Sequence, residues 1–443
     1  MEKAGLNHWI RTGAACLALV MATVAFAFHS LIPGQVRASM GIVAFILTAV
    51  AFSVNPNGIR WWFIGRGVAL QVLLAILILK LSIDGVRPGY IVFTWLATGV
   101  TRFLEFTSVG AVFVFGEIAD PQAMASVFPN GFVLAFAALP IIIFVSAVFT
   151  VLYHLGVIQF VVRVLAKLMM PFLGTSGAET LSAVANVFMG QTEAPIIVRP
   201  YIPRMTQSEL LALMTGGLST IAGSMFAVYV GLGADPVAML TTSVMAAPCG
   251  LYLAKILVPE IESPVTLGDA NVEVDSEHAN LVDAAASGAS NGMQLALNVA
   301  AMLIAFLAFI AMIDYLLALI RPDLSLSVLM AFFFSPVAAL IGVPSADIPL
   351  IADLLGTKLV TNEMVSYIKL NGEYSGIISD RGHILATYAL TGFANLGSIG
   401  VLLGGIGAMA PERRADLARL SSKALLGGFI ATLINASIAA LLL

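Results

Sequence analysis

Apolar residues run in long blocks along the chain, and the polar residues between them come in short clusters. Blocks at 13–32, 38–54 and 65–82 each approach the roughly 20 residues that carry a helix across a bilayer. The second stops at Asn55-Pro56-Asn57-Gly58, a turn signal. Residues 83–130 are less apolar and richer in Gly and aromatics, which predicts a loop and a helix lying along or across the membrane surface. A strong block follows at 131–153. Residues 157–173 carry Arg163 and Lys167 four apart on an otherwise apolar segment, the pattern of an interfacial amphipathic helix. Further spans are expected at 207–231, 235–258, 291–320, 324–341, 382–403 and 424–443, with a short basic segment at 411–423 and a hydrophilic loop at 259–288. The expected fold is an all-α polytopic membrane protein of about eight to nine transmembrane helices.

Two stretches depart from this pattern in the same way. Gly190-Gln191-Thr192-Glu193-Ala194-Pro195 sets three polar side chains, one a carboxylate, between apolar arms at 181–189 and 196–198. An ionisable group at membrane depth costs about 3 kcal/mol on insertion scales, so it faces protein, water or a ligand. Gly190 and Pro195 both disfavour one continuous helix. Residues 174–204 are therefore expected to form two arms of roughly 14 residues, short of a full span. Such a re-entrant hairpin is tolerated where its tip is buried in protein or lines a wet cavity. Residues 342–370 repeat the logic, with Thr361-Asn362-Glu363 at the tip.

The openings of the two hairpins also match. Gly174-Thr175-Ser176-Gly177-Ala178-Glu179 and Gly342-Val343-Pro344-Ser345-Ala346-Asp347 share a leading Gly, and Ala and a carboxylate at the fifth and sixth positions. Glu179 and Asp347 read as carboxylates in helical first turns. Each hairpin precedes a span with a small, polar interruption, Ser219 to Ser224 in one half and Phe393 to Ser398 in the other. The order hairpin, tip carboxylate, broken helix, occurring twice, points to an internal repeat with a transport site at its interface. The two tip carboxylates, Glu193 and Glu363, are expected to face one another.

Composition sharpens this. Apolar types make up 60% of the 443 residues and charged types 10%, against roughly 25% charged in a soluble domain. The net charge of −4 offers no basic surface for nucleic acid. Cys16 and Cys249 lie far apart in apolar runs and read as small core residues. The run at 13–32 is too long for a signal-peptide core and is expected as an uncleaved first helix. Lys3, Arg11, Arg60 and Arg66 fall in alternate flanks with only Arg37 between, which places the N-terminus in the cytoplasm.

Broken helices present free carbonyls at one end, suited to a small hard cation. Asn186, before the first tip, and Thr220, in the next span's interruption, add side-chain oxygens. Oxygen ligands without a carboxylate fit a monovalent ion better than Ca²⁺ or Zn²⁺. Gln191, Thr192 and Glu193 form one hydrogen-bonding patch and Glu363, Asn395 and Ser398 another. Together they suit a neutral solute with several hydroxyl or amine donors. The same carboxylate pair would also serve acid/base catalysis, but no metal triad, nucleophile elbow or diphosphate motif accompanies it. His154 and His383 stand alone and read as satisfied histidines near an interface.

At these residues the sequence closely resembles the concentrative nucleoside transporter family, in its bacterial sodium-coupled type. The resemblance runs through GQTEAPIIVRPYIPRMTQSEL at 190–210, STIAGS at 219–224, NGMQLALNVAAMLIAF at 291–306, TNEMVSY at 361–367 and TYALTGFANLGSIGVLLGGIGAMAPERR at 387–414. It covers roughly residues 84–430. What it implies is a secondary active importer, not an enzyme, that moves nucleosides by sodium symport and elevator-type alternating access. It also implies a homotrimer in a plasma or bacterial inner membrane, in contact with lipid, with no cofactor beyond the coupling sodium ion. The substrate would be uridine-like or a purine nucleoside. Gln191, Thr192, Glu193 and Met225 would take the base side, with Phe393 nearby, and Glu363, Asn395 and Ser398 the ribose. Sodium would bind the Asn186 and Thr220 side chains and the Met189 and Ile221 carbonyls.

The resemblance further implies an extra N-terminal helix at 1–36, mostly scaffold at 37–153, a first transport-domain repeat at 154–258, an acidic loop at 259–290, a long scaffold helix at 291–320 and a second repeat at 321–443. Met225 stands where smaller aliphatic residues are common, Thr220 replaces a frequent serine, and Gly397 stands where a hydroxylated residue is usual. Proton-coupled relatives depart from the first tip and the STIAGS stretch, both of which this chain keeps. A proton-coupled symporter, an intramembrane enzyme and a passive channel are the alternatives.

Overall fold

The computed structural model describes residues 2–120, 123–124, 133–137, 139–267 and 278–443. Among them the regular structure is helical, with two isolated bridges and no strand. The first four helices are α1 (Glu2–Ala27), α2 (Gly34–Ala51), α3 (Trp61–Leu79) and α4 (Pro88–Phe115). α5 (Leu139–His154) and α6 (Val157–Leu173) meet at a 71° bend over Gly156, which adopts φ +76°. Hairpin 1 holds α7 (Gly177–Ala185) and α8 (Ala194–Ile197) and ends in a 3-10 turn, Arg199–Arg204. The first broken span is α9 (Gln207–Ser219) plus α10 (Gly223–Gly231), followed by α11 (Pro236–Leu257). α12 (Leu281–Ile320) and α13 (Leu326–Ile341) lead to hairpin 2, made of α14 (Ile348–Val360) and α15 (Glu363–Asn371). α16 (Asp380–Leu390) and α17 (Leu396–Met409) form the second broken span, and α18 (Arg414–Leu442) closes the chain. Among the described residues eight helical stretches are long and apolar enough to cross a membrane, or nine if the bent α5–α6 pair counts as one span.

Local chemistry sets where these helices start. Ser176 and Thr206 each close a capping box, with Glu179 and Glu209 respectively, at the starts of α7 and α9. Asp235, Asn280, Ser325, Asn362, Ser379 and Asn395 cap α11, α12, α13, α15, α16 and α17 through side-chain oxygens. Asp347 stands, as expected, in the first turn at the start of hairpin 2, but its carboxylate does not cap its own helix. It accepts instead from the Ser379 N–H (3.2 Å) and hydroxyl (2.5 Å), tying hairpin 2 to the start of α16.

Several boundaries differ from those the sequence pattern predicts. Residues 88–115 form one continuous 28-residue helix, so the helical part of the expected loop and surface helix takes up most of the stretch. Glycines reduce helix propensity in water but are common in transmembrane helices, and Pro88 at the N-terminus initiates one. The expected loop at 259–290 ends early, because Asn280 accepts from the Val282 and Asp283 N–H groups (both 3.0 Å) and starts α12. Asp269, Glu273, Asp275 and Glu277 of that loop lie outside the described residues, as do residues 131 and 132 at the start of the span expected at 131–153. The segment at 411–423 is a 3-10 turn running straight into the final helix. The first apolar block is helical only to Ala27, with a turn beyond. Hairpin 1 is asymmetric: after α8 its second arm tightens into the 3-10 turn over Pro200 and Pro203.

The core lies where α9, α11 and α18 pack together. A polar chain crosses it: the Cys249 thiol meets the Tyr252 hydroxyl (3.1 Å), which donates to Gln71 Oε1 (2.8 Å). Gln71 Nε2 donates to Asn435 Oδ1 (2.6 Å), and Asn435 Nδ2 to the Thr242 hydroxyl (3.0 Å). Every member is hydrogen-bonded, as a dry interior demands. α12, with 40 residues, packs mainly on α5 through a stripe of small residues four apart, Ala284, Gly288, Gly292 and Ala296. A Cβ on Gly292 would stand 2.7 Å from Ile143 Cα, so the two backbones touch directly. The opposite face exposes Leu297, Ile304, Leu307, Met312 and Leu319. α6 buries Ile158, Val162, Ala166 and Leu173 and exposes Phe160, Leu165 and Leu168, so it rests on the protein with an apolar outer face.

Arg37 is not a free flanking charge. It is buried, and its guanidinium donates to the carbonyls of Ile32 (3.2 Å), Ala339 (3.1 Å) and Val343 (2.8 Å). It thereby pins α2 to the entrance of hairpin 2. Replacement by methionine keeps the bulk and strands those carbonyls, at about 1–3 kcal/mol for each that stays unpaired. Arg37→Met should lower the melting temperature in detergent by several degrees. An unchanged melting curve would show that this clamp carries no stability.

Candidate functional site

Hairpin 1 turns over inside the protein. α7 ends at Asn186, whose Nδ2 donates to Ser182 O (2.9 Å), while its fully buried Oδ1 has no donor among the described residues. The tip continues through Met189 and Gly190, and the Glu193 carboxylate folds back to accept the Gly190 N–H (3.2 Å). Gln191 is buried against α9: a Cβ on Gly217 would stand 2.8 Å from Gln191 Cβ. The Gln191 Oε1 also lacks a donor. Thr192 leans on α17, where a Cβ on Gly405 would stand 2.6 Å from its methyl group. Glycine at 217 and 405 therefore makes room for the tip.

The broken spans meet the tip and each other. Between α9 and α10 the backbone is extended at Thr220, whose hydroxyl donates back to Gly216 O (3.0 Å). The freed Thr220 carbonyl accepts the N–H of Phe393 from the second break (3.1 Å), and Phe188 O of the first tip accepts the Gly223 N–H (3.2 Å). No backbone hydrogen bond reaches the Met189 or Ile221 carbonyl among the described residues. Buried oxygens without donors thus gather around the first break. Among the described residues no three His, Cys, Asp or Glu side chains group as metal ligands, so amide, hydroxyl and carbonyl oxygens are the donors available for a cation.

Glu363 opens α15 at the second tip, where the helix N-terminus favours its charge. It is buried. Its Oε1 accepts from the Tyr229 hydroxyl of α10 (2.5 Å) and its Oε2 from Asn395 Nδ2 (2.9 Å). Asn395 Oδ1 accepts the Ser398 N–H (2.8 Å), so one amide both caps α17 and orients the carboxylate. Only a side chain with donor and acceptor side by side can do both. The structure thus brings Glu363, Asn395 and Ser398 into one hydrogen-bonded group. Met225, on α10, is buried, and Phe393, in the second break, is half-buried. Glu193 is half-buried, and its carboxylate accepts from its own turn; among the described residues no hydrogen bond joins it to Glu363.

Sequence reading missed two members of this neighbourhood. Tyr229 sits in an unremarkable apolar helix, and only the fold shows its ring stacked on Tyr367 (centroids 4.7 Å apart) with its hydroxyl on Glu363. Lys358 is fully buried in α14. A lysine inside an apolar 13-residue helix was a signal that could have been used.

Twin helical hairpins, each seated on a broken helix, define the class as a polytopic helical membrane protein with paired halves. Comparison with known proteins bears on the same point. Residues 40–118 and 238–440 match the N- and C-terminal families described as Na+ dependent nucleoside transporter, and residues 135–236 match one described as nucleoside recognition. The chain is 39% identical to mouse sodium/nucleoside cotransporter 1 over 93% of its own length and 64% of that protein's, so it spans less than two thirds of that relative. It is 42% identical to an uncharacterized transporter of Haemophilus influenzae, covering 91% of this chain and 96% of that one. Among solved structures, CNTnw in an inward-facing substrate-bound state superposes with a TM-score of 0.87 at 40% identity, covering 92% of this chain and 98% of the other. An outward-facing CNTnw variant gives 0.85 at 38% identity, covering 92% and 97%. The chain belongs to the Na+ dependent nucleoside transporter family, and it is a multi-pass membrane protein.

The seating of the first tip is open to test. Gly217→Ala would drive a methyl into Gln191, an overpacking that typically costs about 1–3 kcal/mol. The variant should unfold at lower temperature, and alkylation of a cysteine placed at Thr192 should speed up as the tip lifts. Unchanged melting and labelling would show that the tip does not rest on α9.

Proposed function

We propose that this protein imports nucleosides across a plasma or bacterial inner membrane by symport with sodium, using elevator-type alternating access. The observation that carries the reading is a set of buried oxygens without protein donors beside a carboxylate held in place by two neighbours. Asn186 Oδ1 and the Thr220 hydroxyl, with the Met189 and Ile221 carbonyls, form a cation cradle of neutral oxygens, the donor set for a monovalent ion. Glu363 keeps lone pairs beyond those used by Tyr229 and Asn395, and these suit the paired hydroxyls of a ribose, with Ser398 alongside. Gln191, Thr192 and Glu193 supply amide, hydroxyl and carboxylate groups for a base, with Met225 and Phe393 as apolar walls.

The names of the relatives point to the same cargo. The division into a scaffold and a mobile transport domain, with a homotrimer around it, also belongs to this proposal. The apolar outer faces of α4 and α12 suit lipid or neighbouring protomers. One sodium ion per cycle draws on about 2.3 kcal/mol per 100 mV of membrane potential, enough to concentrate a neutral solute.

Uridine uptake into proteoliposomes should require an inward sodium gradient. Uptake that follows pH and ignores sodium would assign proton coupling, and a chemically altered solute inside would assign an enzyme. Glu363→Gln offers one acceptor to two donors, so Tyr229 or Asn395 loses its partner along with the charge. Nucleoside affinity should fall about 10- to 100-fold, the range for loss of a hydrogen bond to a charged group. Wild-type affinity would remove Glu363 from the site. Asn186→Ala should raise the sodium concentration for half-maximal uptake several-fold, and an unchanged sodium curve would remove Asn186 from the cradle.

A further inference from the structure

The second half of the chain carries a charge where the first half carries none. α9 stops at Ser219, and the Thr220 hydroxyl donates four residues back, to Gly216 O (3.0 Å). α16 stops at Leu390, and the Thr391 hydroxyl likewise donates to Thr387 O (2.6 Å). The two threonines close corresponding breaks. At the first break the buried side chains from hairpin 1 are Asn186 and Gln191, both with an oxygen that has no donor. At the second, hairpin 2 supplies Lys358. Its Nζ donates to Ala389 O (2.9 Å), in the last turn of α16, and to the Thr432 hydroxyl of α18 (3.1 Å). It lies 5.4 Å from the centroid of the Phe429 ring. Among the described residues it forms no ion pair.

The surroundings of that nitrogen are those of a cation. The carbonyl end of a helix carries partial negative charge, a hydroxyl offers lone pairs, and an aromatic face attracts positive charge. A side chain needed only for volume would be Leu or Met, which bury at this depth without the cost of an amine.

We propose that Lys358 is a tethered cation. Its ammonium fills, in the second half of the repeat, the helix-end position that a diffusible sodium ion fills in the first. The paired breaks then hold one exchangeable ion and one that is part of the chain. This rests on the sodium reading given above, and it adds that the second position is closed to sodium for as long as the lysine is there.

The test is the sodium dependence of thermal stability of the full-length protein in lipid nanodiscs, for wild type, Lys358→Gln, Lys358→Met and Lys358→Arg. The dependence of melting temperature on the logarithm of sodium concentration should have the slope of one ion in wild type and Lys358→Arg. Lys358→Gln should be less stable without sodium and should show about twice the slope, because its amide oxygen now invites a second ion. Lys358→Met, with no oxygen, should lose stability that sodium does not restore. A Lys358→Gln variant with the wild-type slope and stability overturns the proposal. If the Gln and Met variants cannot be recovered folded, Lys358→Arg decides: recovery with the wild-type slope upholds a need for positive charge, and its failure assigns the lysine to packing. A wild type whose stability and uptake both ignore sodium overturns the sodium reading and this proposal with it, whereas a sodium-dependent wild type with an unaltered Lys358→Gln overturns this proposal alone.

Discussion

A helix interrupted inside a membrane leaves backbone groups that no water can reach, and the site depends on how those groups are answered. Each break here is completed by another break or tip. The Thr220 carbonyl from the first broken span takes the Phe393 N–H from the second, and the Phe188 carbonyl of the first tip takes the Gly223 N–H. An unsatisfied peptide group in a dry interior costs several kcal/mol, so the first break leans on its own tip at Phe188 and on the second break at Phe393. The two halves of the repeat are joined by obligation of the main chain before any side chain contributes.

The side chains then divide the work. Carbonyls and hydroxyls cluster toward the first break, and a carboxylate with two hydrogen-bonding neighbours stands at the second tip. Asn395 links these levels, because the amide that caps α17 also fixes the orientation of Glu363. The polarity of the interior is therefore local. Away from the breaks, α9, α11 and α18 pack as a largely apolar core crossed by a polar chain from Cys249 to Thr242.

Much of this was legible in the sequence, for physical reasons. A bilayer enforces long apolar runs, so each departure from one is informative. Gly190 to Pro195 and Thr361 to Glu363 stood out as tips because polar residues at that depth need a purpose. The breaks at Thr220 and Phe393 were visible as small or polar residues inside apolar spans. Boundaries were harder where the signal depends on context. The glycines of α4 hid the length of its helix, since glycine lowers helix propensity without forbidding a helix. Asn280 was read as part of a hydrophilic loop although it caps α12. Arg37 was counted as a flanking charge because its three carbonyl partners lie in its own turn and some 300 residues away. Tyr229 could not be found at all, since an isolated tyrosine in a span carries no sign of the carboxylate that the fold delivers to it.

The length of α12 has a geometric corollary. At 1.5 Å per residue its 40 residues measure about 60 Å, while the hydrocarbon layer is about 30 Å deep. Even a tilt of about 40°, the upper end for membrane helices, leaves it roughly 16 Å too tall. About 14 residues must therefore stand clear of the oil, and the amino end, with Asp283, Ser287, Ser290 and Asn291, is the wettable one. This helix works as a depth gauge: once its apolar two thirds are level with the lipid tails, the vertical position of everything bolted to α5 is fixed.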